Sequence, residues 1–167
     1  FGSAAGSKMR VFDYSGNALS NEFQYDSTGD NTRGDLISLG DGKVQTLQLH
    51  TTTENLKLHT VDTTSQSVSK TVQIHNFTSR DGNIELVQGS SANYVTLYDN
   101  GAYYVSKIGF DGSIIKSSTA LSVSDLTLGT ANNHFQVVEV EPNVLMAAFS
   151  GPDYDDGIEV KLFDANT

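Results

Sequence analysis

Three aspartates, Asp153, Asp155 and Asp156, fall between Gly151 and Gly157. Acidic oxygens spaced along a glycine-bounded loop are a donor set that Ca²⁺ takes, because it accepts oxygen ligands at flexible geometry. This loop is the candidate metal site, and Ca²⁺ is the one cofactor the sequence brings forward. The EF-hand spacing and its closing glutamate are missing, so an acidic solvated hairpin is the plainer reading. Asp26-Ser27-Thr28-Gly29-Asp30-Asn31 is a second acidic loop, weighed against a simple connection between units.

Other chemistry-bearing residues are scattered. His50, His59, His75 and His134 lack the i, i+2 or i, i+4 partner that a zinc site on one element shows, and read as ordinary surface or strand-end histidines. No Gly-x-Ser-x-Gly elbow occurs. Glu139 and Glu141 form an acidic pair, but i, i+2 spacing on a strand merely puts both on one face. The expectation is therefore a protein with no catalytic residues. Arg33-Gly34-Asp35 spells an integrin tripeptide, though Gly34-Asp35 reads better as a turn. Asn76-Phe77-Thr78 is a glycosylation sequon. Tyr94, Tyr98, Tyr103 and Tyr104 crowd one hairpin; Tyr103 and Tyr104 are adjacent and point oppositely, so some are expected to face solvent. Exposed tyrosines would stack on sugars or bind peptides, while cross-strand packing is the plainer explanation.

The chain has 167 residues, ten Lys and Arg against twenty Asp and Glu, and a net charge of −10. Phosphate contacts need clustered basic residues, so nucleic-acid binding is excluded, and an anionic membrane surface is disfavoured for the same reason. No apolar run approaches the ~20 residues of a membrane helix. Cysteine is absent, which excludes a disulfide scaffold, a thiol nucleophile and a thiolate metal site. Abundant Ser, Thr, Asn and Gly with two prolines suit short strands joined by polar turns.

The elements that position these residues repeat. Segments ending in aspartate recur at Met9–Asp13, Leu58–Asp62, Lys107–Asp111 and Lys161–Asp164, with the aspartates 49, 49 and 53 residues apart (13, 62, 111, 164). Upstream, Leu36–Leu39, Ile84–Val87 and Phe135–Val138 each open a unit. Second strands are predicted over Val44–His50, Tyr94–Tyr98 and Val144–Phe149, and third strands over Leu56–Asp62, Ala102–Asp111 and Ile158–Asp164. Fourth strands follow at Val68–Ile74 and Ile114–Leu121, with Leu19–Phe23 as the counterpart near the start. Asp99-Asn100-Gly101 and Asp111-Gly112 are hairpin signals.

Four strands every ~40–50 residues is the signature of a β-propeller blade. The expected fold is all-β, built of repeated four-stranded antiparallel units that form part of a propeller, with a β-sandwich as the alternative. Residues 1–7 read as a linker or stub and 8–167 as one repeat domain, divided into a partial unit 8–35, units 36–83 and 84–134, and a partial unit 135–167. The chain reads as part of a longer one, because a fourth strand is expected where it stops.

Arg10-Val11-Phe12-Asp13-Tyr14-Ser15-Gly16-Asn17-Ala18-Leu19-Ser20-Asn21-Glu22-Phe23-Gln24 resembles the blade motif of very long bacterial repeat proteins exported by type I secretion, the RTX-type adhesins and hemolysin-like calcium-binding proteins. Asp41-Gly42-Lys43-Val44 resembles the turn that starts the next second strand there, and the resemblance covers residues 8–47. The usual tryptophan of the second strand and the glycine-rich calcium nonapeptides are missing. The resemblance implies an extracellular or cell-surface, calcium-dependent, non-catalytic role, and no residue-level ligand site comes with it. The expected partners are a second copy, other parts of a longer parent chain, a glycan or a peptide. The alternatives are a fragment of a secreted glycan-active propeller enzyme and a surface-layer or filament subunit.

Overall fold

A computed structural model of the chain describes residues 6–27, 31–50, 52–78, 83–121, 135–150 and 158–166. These contain only strands and turns: β1 (Lys8–Met9), β2 (Phe23–Gln24), β3 (Asn31–Arg33), β4 (Leu36–Gly40), β5 (Lys43–His50), β6 (Asn55–Asp62), β7 (Ser67–Asn76), β8 (Ile84–Val87), β9 (Asn93–Asp99), β10 (Ala102–Ile108), β11 (Ile114–Ala120), β12 (Phe135–Glu141), β13 (Val144–Ser150) and β14 (Ile158–Asp164).

Every pairing is antiparallel, and apart from β3 with β5 each joins neighbours in the chain, so the sheets are meanders. The first is the hairpin β1–β2, closed further along by a Phe12–Ala18 bridge. The second runs from β4 through β5 and β6 to β7, with β3 continuing along the same edge of β5 beyond β4. The third is β8–β9–β10–β11 and the fourth β12–β13–β14. The all-β, four-stranded repeat expected from the sequence is what forms, without a closed barrel among the described residues. The third strand of the third sheet ends at Ile108, short of the expected Asp111, which lies in the turn that follows.

The sheets lie against one another in chain order. First strands neighbour first strands, β4 against β8 and β8 against β12, and the outer strand β7 neighbours β11. That arrangement is consistent with part of a propeller. Leu47, Leu49, Leu56, Leu58 and Ile74 of the second sheet pack against Leu86, Val95, Leu97 and Ile108 of the third. On the third sheet's other side Val87, Tyr94 and Val105 meet Leu145 and Ala165, and Tyr103 meets Ala147.

The repeat aspartates build the turns. Asp13 accepts the amides of Ser15 and Asn17 at 2.9 and 2.8 Å, Asp62 those of Thr64 and Ser65, both at 2.9 Å, Asp111 that of Ser113 at 2.9 Å and Asp164 that of Asn166 at 2.8 Å. A carboxylate that bonds the backbone two residues on fixes a turn locally. These bonds hold the carboxyl groups of Asp13, Asp62 and Asp111 below the usual range, led by the Asn17 side chain, the Ser65 amide and the Ser113 hydroxyl respectively. At the Asn100-Gly101 turn φ is 47° and 82°, the positive pair a two-residue hairpin turn needs.

Strands buried on both faces behave as core. Leu58 is 0 % exposed, and Leu58→Ala should cost about 2–5 kcal/mol. Exposed Leu19→Ala should stay within about 0.5 kcal/mol of the parent, both read as urea midpoints at constant slope.

Candidate functional site

The buried titratable side chains gather where one sheet meets the next. Along β5, Gln45, Leu47 and Leu49 face the third sheet, while Thr46, Gln48 and His50 face the first hairpin, and all six are buried. The polar row of the alternation is therefore covered, not solvated. On the hairpin side His50 Nε2 lies 3.1 Å from Asp26 Oδ2, and His59 Nε2, from β6, lies 3.2 Å from the same oxygen. His59 Nδ1 is 2.9 Å from the Thr71 hydroxyl of β7, and Tyr25 sets its ring edgewise to His59 at 5.6 Å. The Gln48 amide donates to Ser7 Oγ across the same junction.

The next junction repeats this with the residues exchanged. His75 Nε2, at the end of β7, lies 3.1 Å from Asp99 Oδ2, at the end of β9. Asp26 and His50 are 24 residues apart, as are His75 and Asp99, and each member is displaced by the 49-residue repeat (26 to 75, 50 to 99). The carboxylate sits on the outgoing segment in one junction and on the receiving strand in the other. Asp99 also accepts the Thr78 amide at 3.0 Å and the Thr78 hydroxyl at 3.2 Å. Ser118 Oγ of β11 lies 3.1 Å from His75 Nδ1, and the His75 ring packs against Phe77 and Tyr104 at 5.2 and 4.7 Å.

Carboxylates tie the inner strands as well. Asp35 Oδ2 accepts the Leu86 amide at 2.7 Å, and one sheet on Glu85 Oε2 accepts the Val137 amide at 3.0 Å. Burial pushes the Glu85 carboxyl up, partly offset by the Val137 amide, with nearby Asp35 adding to the rise. Glu139 accepts the Tyr94 hydroxyl at 2.8 Å, the Asn143 amide at 3.0 Å and the Ser90 amide. Burial raises the Glu139 carboxyl, but these donors outweigh it and leave it below its ordinary value. Burial, reinforced by Glu139, pushes the Tyr94 hydroxyl far up.

Several expectations change on this geometry. His50 and His59 are buried and His75 nearly so, not surface groups, because their partners come from other sheets. Tyr94 is 0 % and Tyr103 1 % exposed, and Tyr98 and Tyr104 are partly buried, so the tyrosine hairpin is packed on both faces. Asp26 of the second acidic loop is a buried partner of imidazoles. Asp35 of the Arg-Gly-Asp triplet is bonded to Leu36 and Leu86 amides. Glu139 and Glu141 do not stand as a pair in a cleft: a bulge separates them, and Glu141 is exposed. In the sequon, the Asn76 carboxamide oxygen accepts from Gln73 at 2.6 Å and Thr78 is held by Asp99. Asp153, Asp155, Asp156 and His134 lie outside the described residues. Among the described residues no group of three or more His, Asp or Glu is arranged to hold a metal ion.

Hydroxyl, imidazole and carboxylate are hydrogen-bonded in series among the described residues as Ser118–His75–Asp99, whereas His59 bonds the Thr71 hydroxyl through Nδ1 and its Nε2 lies near Asp26 without a hydrogen bond. Such a chain can orient an imidazole and relay a proton. The contacts His50–Asp26 and His75–Asp99 bridge two sheets at positions displaced by the repeat, where their evident work is to fix how the sheets pack. No family model matches the chain, and no curated protein matches it.

Removing one member of a buried pair strands the other. Asp99→Ala, which leaves His75 and the Thr78 amide without their acceptor, should cost about 3 kcal/mol in urea unfolding. Burial lowers the His59 imidazole pKa; Asp26 opposes this, while Lys57 and His50 add to it. The unfolded chain then binds the proton more readily, so stability is present above an unfolded value of about 6.5 and is lost as pH falls through it. The urea midpoint should drop between pH 7 and pH 5, and His59→Gln should flatten that limb.

Proposed function

We propose that this chain is a non-catalytic structural or adhesive module of a large exported cell-surface protein: a stiff β scaffold that holds loops toward a glycan, a peptide or a second copy. One observation carries the reading. Each buried imidazole–carboxylate contact among the described residues joins two successive sheets, whereas catalysis needs such groups at the wall of a cleft open to substrate. The acidic balance supports an exported, soluble surface, and the resemblance of residues 8–47 to type I-secreted adhesins supports the location. Calcium in the Asp153–Asp156 loop belongs to this reading.

The Ser118–His75–Asp99 series favours a second reading, a fragment of a secreted hydrolase. Against it stands the His50–Asp26 contact one junction earlier, displaced from His75–Asp99 by the 49-residue repeat, since recurrence with the repeat is what a packing device does. A surface-layer or filament subunit would use the same scaffold.

Glycan and peptide arrays combined with sedimentation velocity are expected to reveal a saturable ligand or reversible self-association. Turnover of ester or glycoside substrates that vanishes in Ser118→Ala would overturn the scaffold reading. If calcium binds the folded chain, chelator should lower the melting temperature, by the equivalent of about 2.7 kcal/mol at a hundredfold excess of ion over Kd. The triple variant Asp153→Asn, Asp155→Asn, Asp156→Asn should abolish that dependence, and a melt indifferent to chelator removes calcium from the proposal.

A further inference from the structure

We propose that Lys107 and Asn143 join through an intramolecular amide bond that locks the third sheet to the fourth. Lys107 Nζ, from β10, lies 2.5 Å from Asn143 Oδ1, in the turn between β12 and β13. A C=O bond adds about 1.2 Å, so the nitrogen is no farther than about 3.7 Å from Asn143 Cγ. Reacting atoms in a near-attack pair are about 3–3.5 Å apart, so a small swing of either side chain closes the gap.

The repeat sets this lysine apart. Four places before the closing aspartate, the third strands carry Leu58, Lys107 and Val160. Leu58 is wholly buried against the third sheet. Lys107 takes the same place one unit later, half-buried toward the fourth sheet, with Tyr94 as its cross-strand partner. An ammonium at a core-facing place gives up hydration and needs a reason to be there. Its hydrogen-bond acceptors among the described residues are the carboxamides of Asn143 and, at 3.0 Å, Asn166, which bring no opposite charge. The chain has no cysteine, so a disulfide cannot tie the sheets together.

Glu139 is the proton carrier. Its Oε1 accepts the Asn143 amide at 3.0 Å and the Tyr94 hydroxyl at 2.8 Å, which sets a carboxylate beside the residue under attack. The carboxylate takes a proton from the Lys107 ammonium, and the freed amine adds to Cγ. The Tyr94 hydroxyl, 3.5 Å from Oδ1, faces the oxygen that becomes negative in the tetrahedral intermediate. The intermediate collapses by expelling the carboxamide nitrogen. That nitrogen takes up the two protons lost by Nζ, one of them by way of Glu139, and leaves as ammonium. One C–N bond forms and one breaks. A lysine ammonium and a carboxamide become a secondary amide and an ammonium ion, and Glu139 ends as the carboxylate it began as. The step uses no oxidant, metal or co-reactant.

The test weighs the full chain by intact mass spectrometry after incubation at neutral pH until its mass is constant. The expected mass is about 17 Da below that of the sequence, one ammonia lost. Digestion should release a branched peptide that carries Lys107 and Asn143. Lys107→Gln keeps a donor for Asn143, and Glu139→Gln keeps acceptors for Tyr94 and the Asn143 amide. Both variants should show the full sequence mass with the circular dichroism spectrum of the parent. A succinimide at Asn100-Gly101 gives the same loss of mass, but it leaves no branched peptide and survives in Lys107→Gln. A parent chain at full sequence mass, a loss that persists in Lys107→Gln, a branch at Asn166 in place of Asn143, or cross-linking undiminished in Glu139→Gln would each overturn the proposal. The outcome is independent of the exported-module reading, because it reads one covalent bond.

Discussion

The second and third sheets each have two faces, and both must be covered. That requirement governs the molecule. β5 and β9 are buried almost throughout, so the middle of neither sheet has a solvent side, while the outer strands β7 and β11 stay partly exposed. Apolar packing between the second and third sheets removes Leu47, Leu58, Val95 and Leu97 from water, but hydrophobic contact is non-directional and leaves twisted sheets free to slide. The His75–Asp99 contact is directional. Joined to the Thr78 amide and Ser118, it fixes the outer end of one sheet against the next, while Asp35 at the Leu86 amide fixes the inner end. Packing supplies the bulk of the stabilisation, and the polar contacts select one alignment from many.

The repeat aspartates explain part of the acidic composition without a ligand. Asp13, Asp62, Asp111 and Asp164 each bond backbone amides within their own turns, and this is why an aspartate recurs at the close of the third strand. Other carboxylates, Asp35, Glu85 and Glu139, accept amides across sheet boundaries. Much of the negative charge is thus architectural.

What the sequence made legible was local. Strand positions, the Asn100-Gly101 turn and the period of the units follow from alternation and turn chemistry within a few residues. What it hid was the identity of neighbours across sheets. Leu47-Gln48-Leu49-His50 alternates like a half-exposed strand, and nothing nearby in the chain says that Gln48 and His50 meet a covering hairpin. His50 finds its carboxylate 24 residues away, so a search for histidines spaced along one element passes over it. Two signals were present in retrospect: aspartate and histidine at both 24-residue intervals, and their exchange across the 49-residue repeat. Adjacent Tyr103 and Tyr104 point oppositely, as expected, but a sheet between two others offers no side to water.

The exchange of acid and imidazole between junctions makes the order of the units matter. The first hairpin presents Asp26 to His50, and the second sheet presents His75 to Asp99. Remove the second sheet, and the outgoing Asp26 would face Asp99, two carboxylates in one buried site. Duplicate it, and His75 would meet His50. The units share a shape but are not interchangeable. Each of these two junctions acts as a lock whose polarity admits only its rightful successor, so the array carries in its buried acids and imidazoles a record of the order in which its first parts must be laid down.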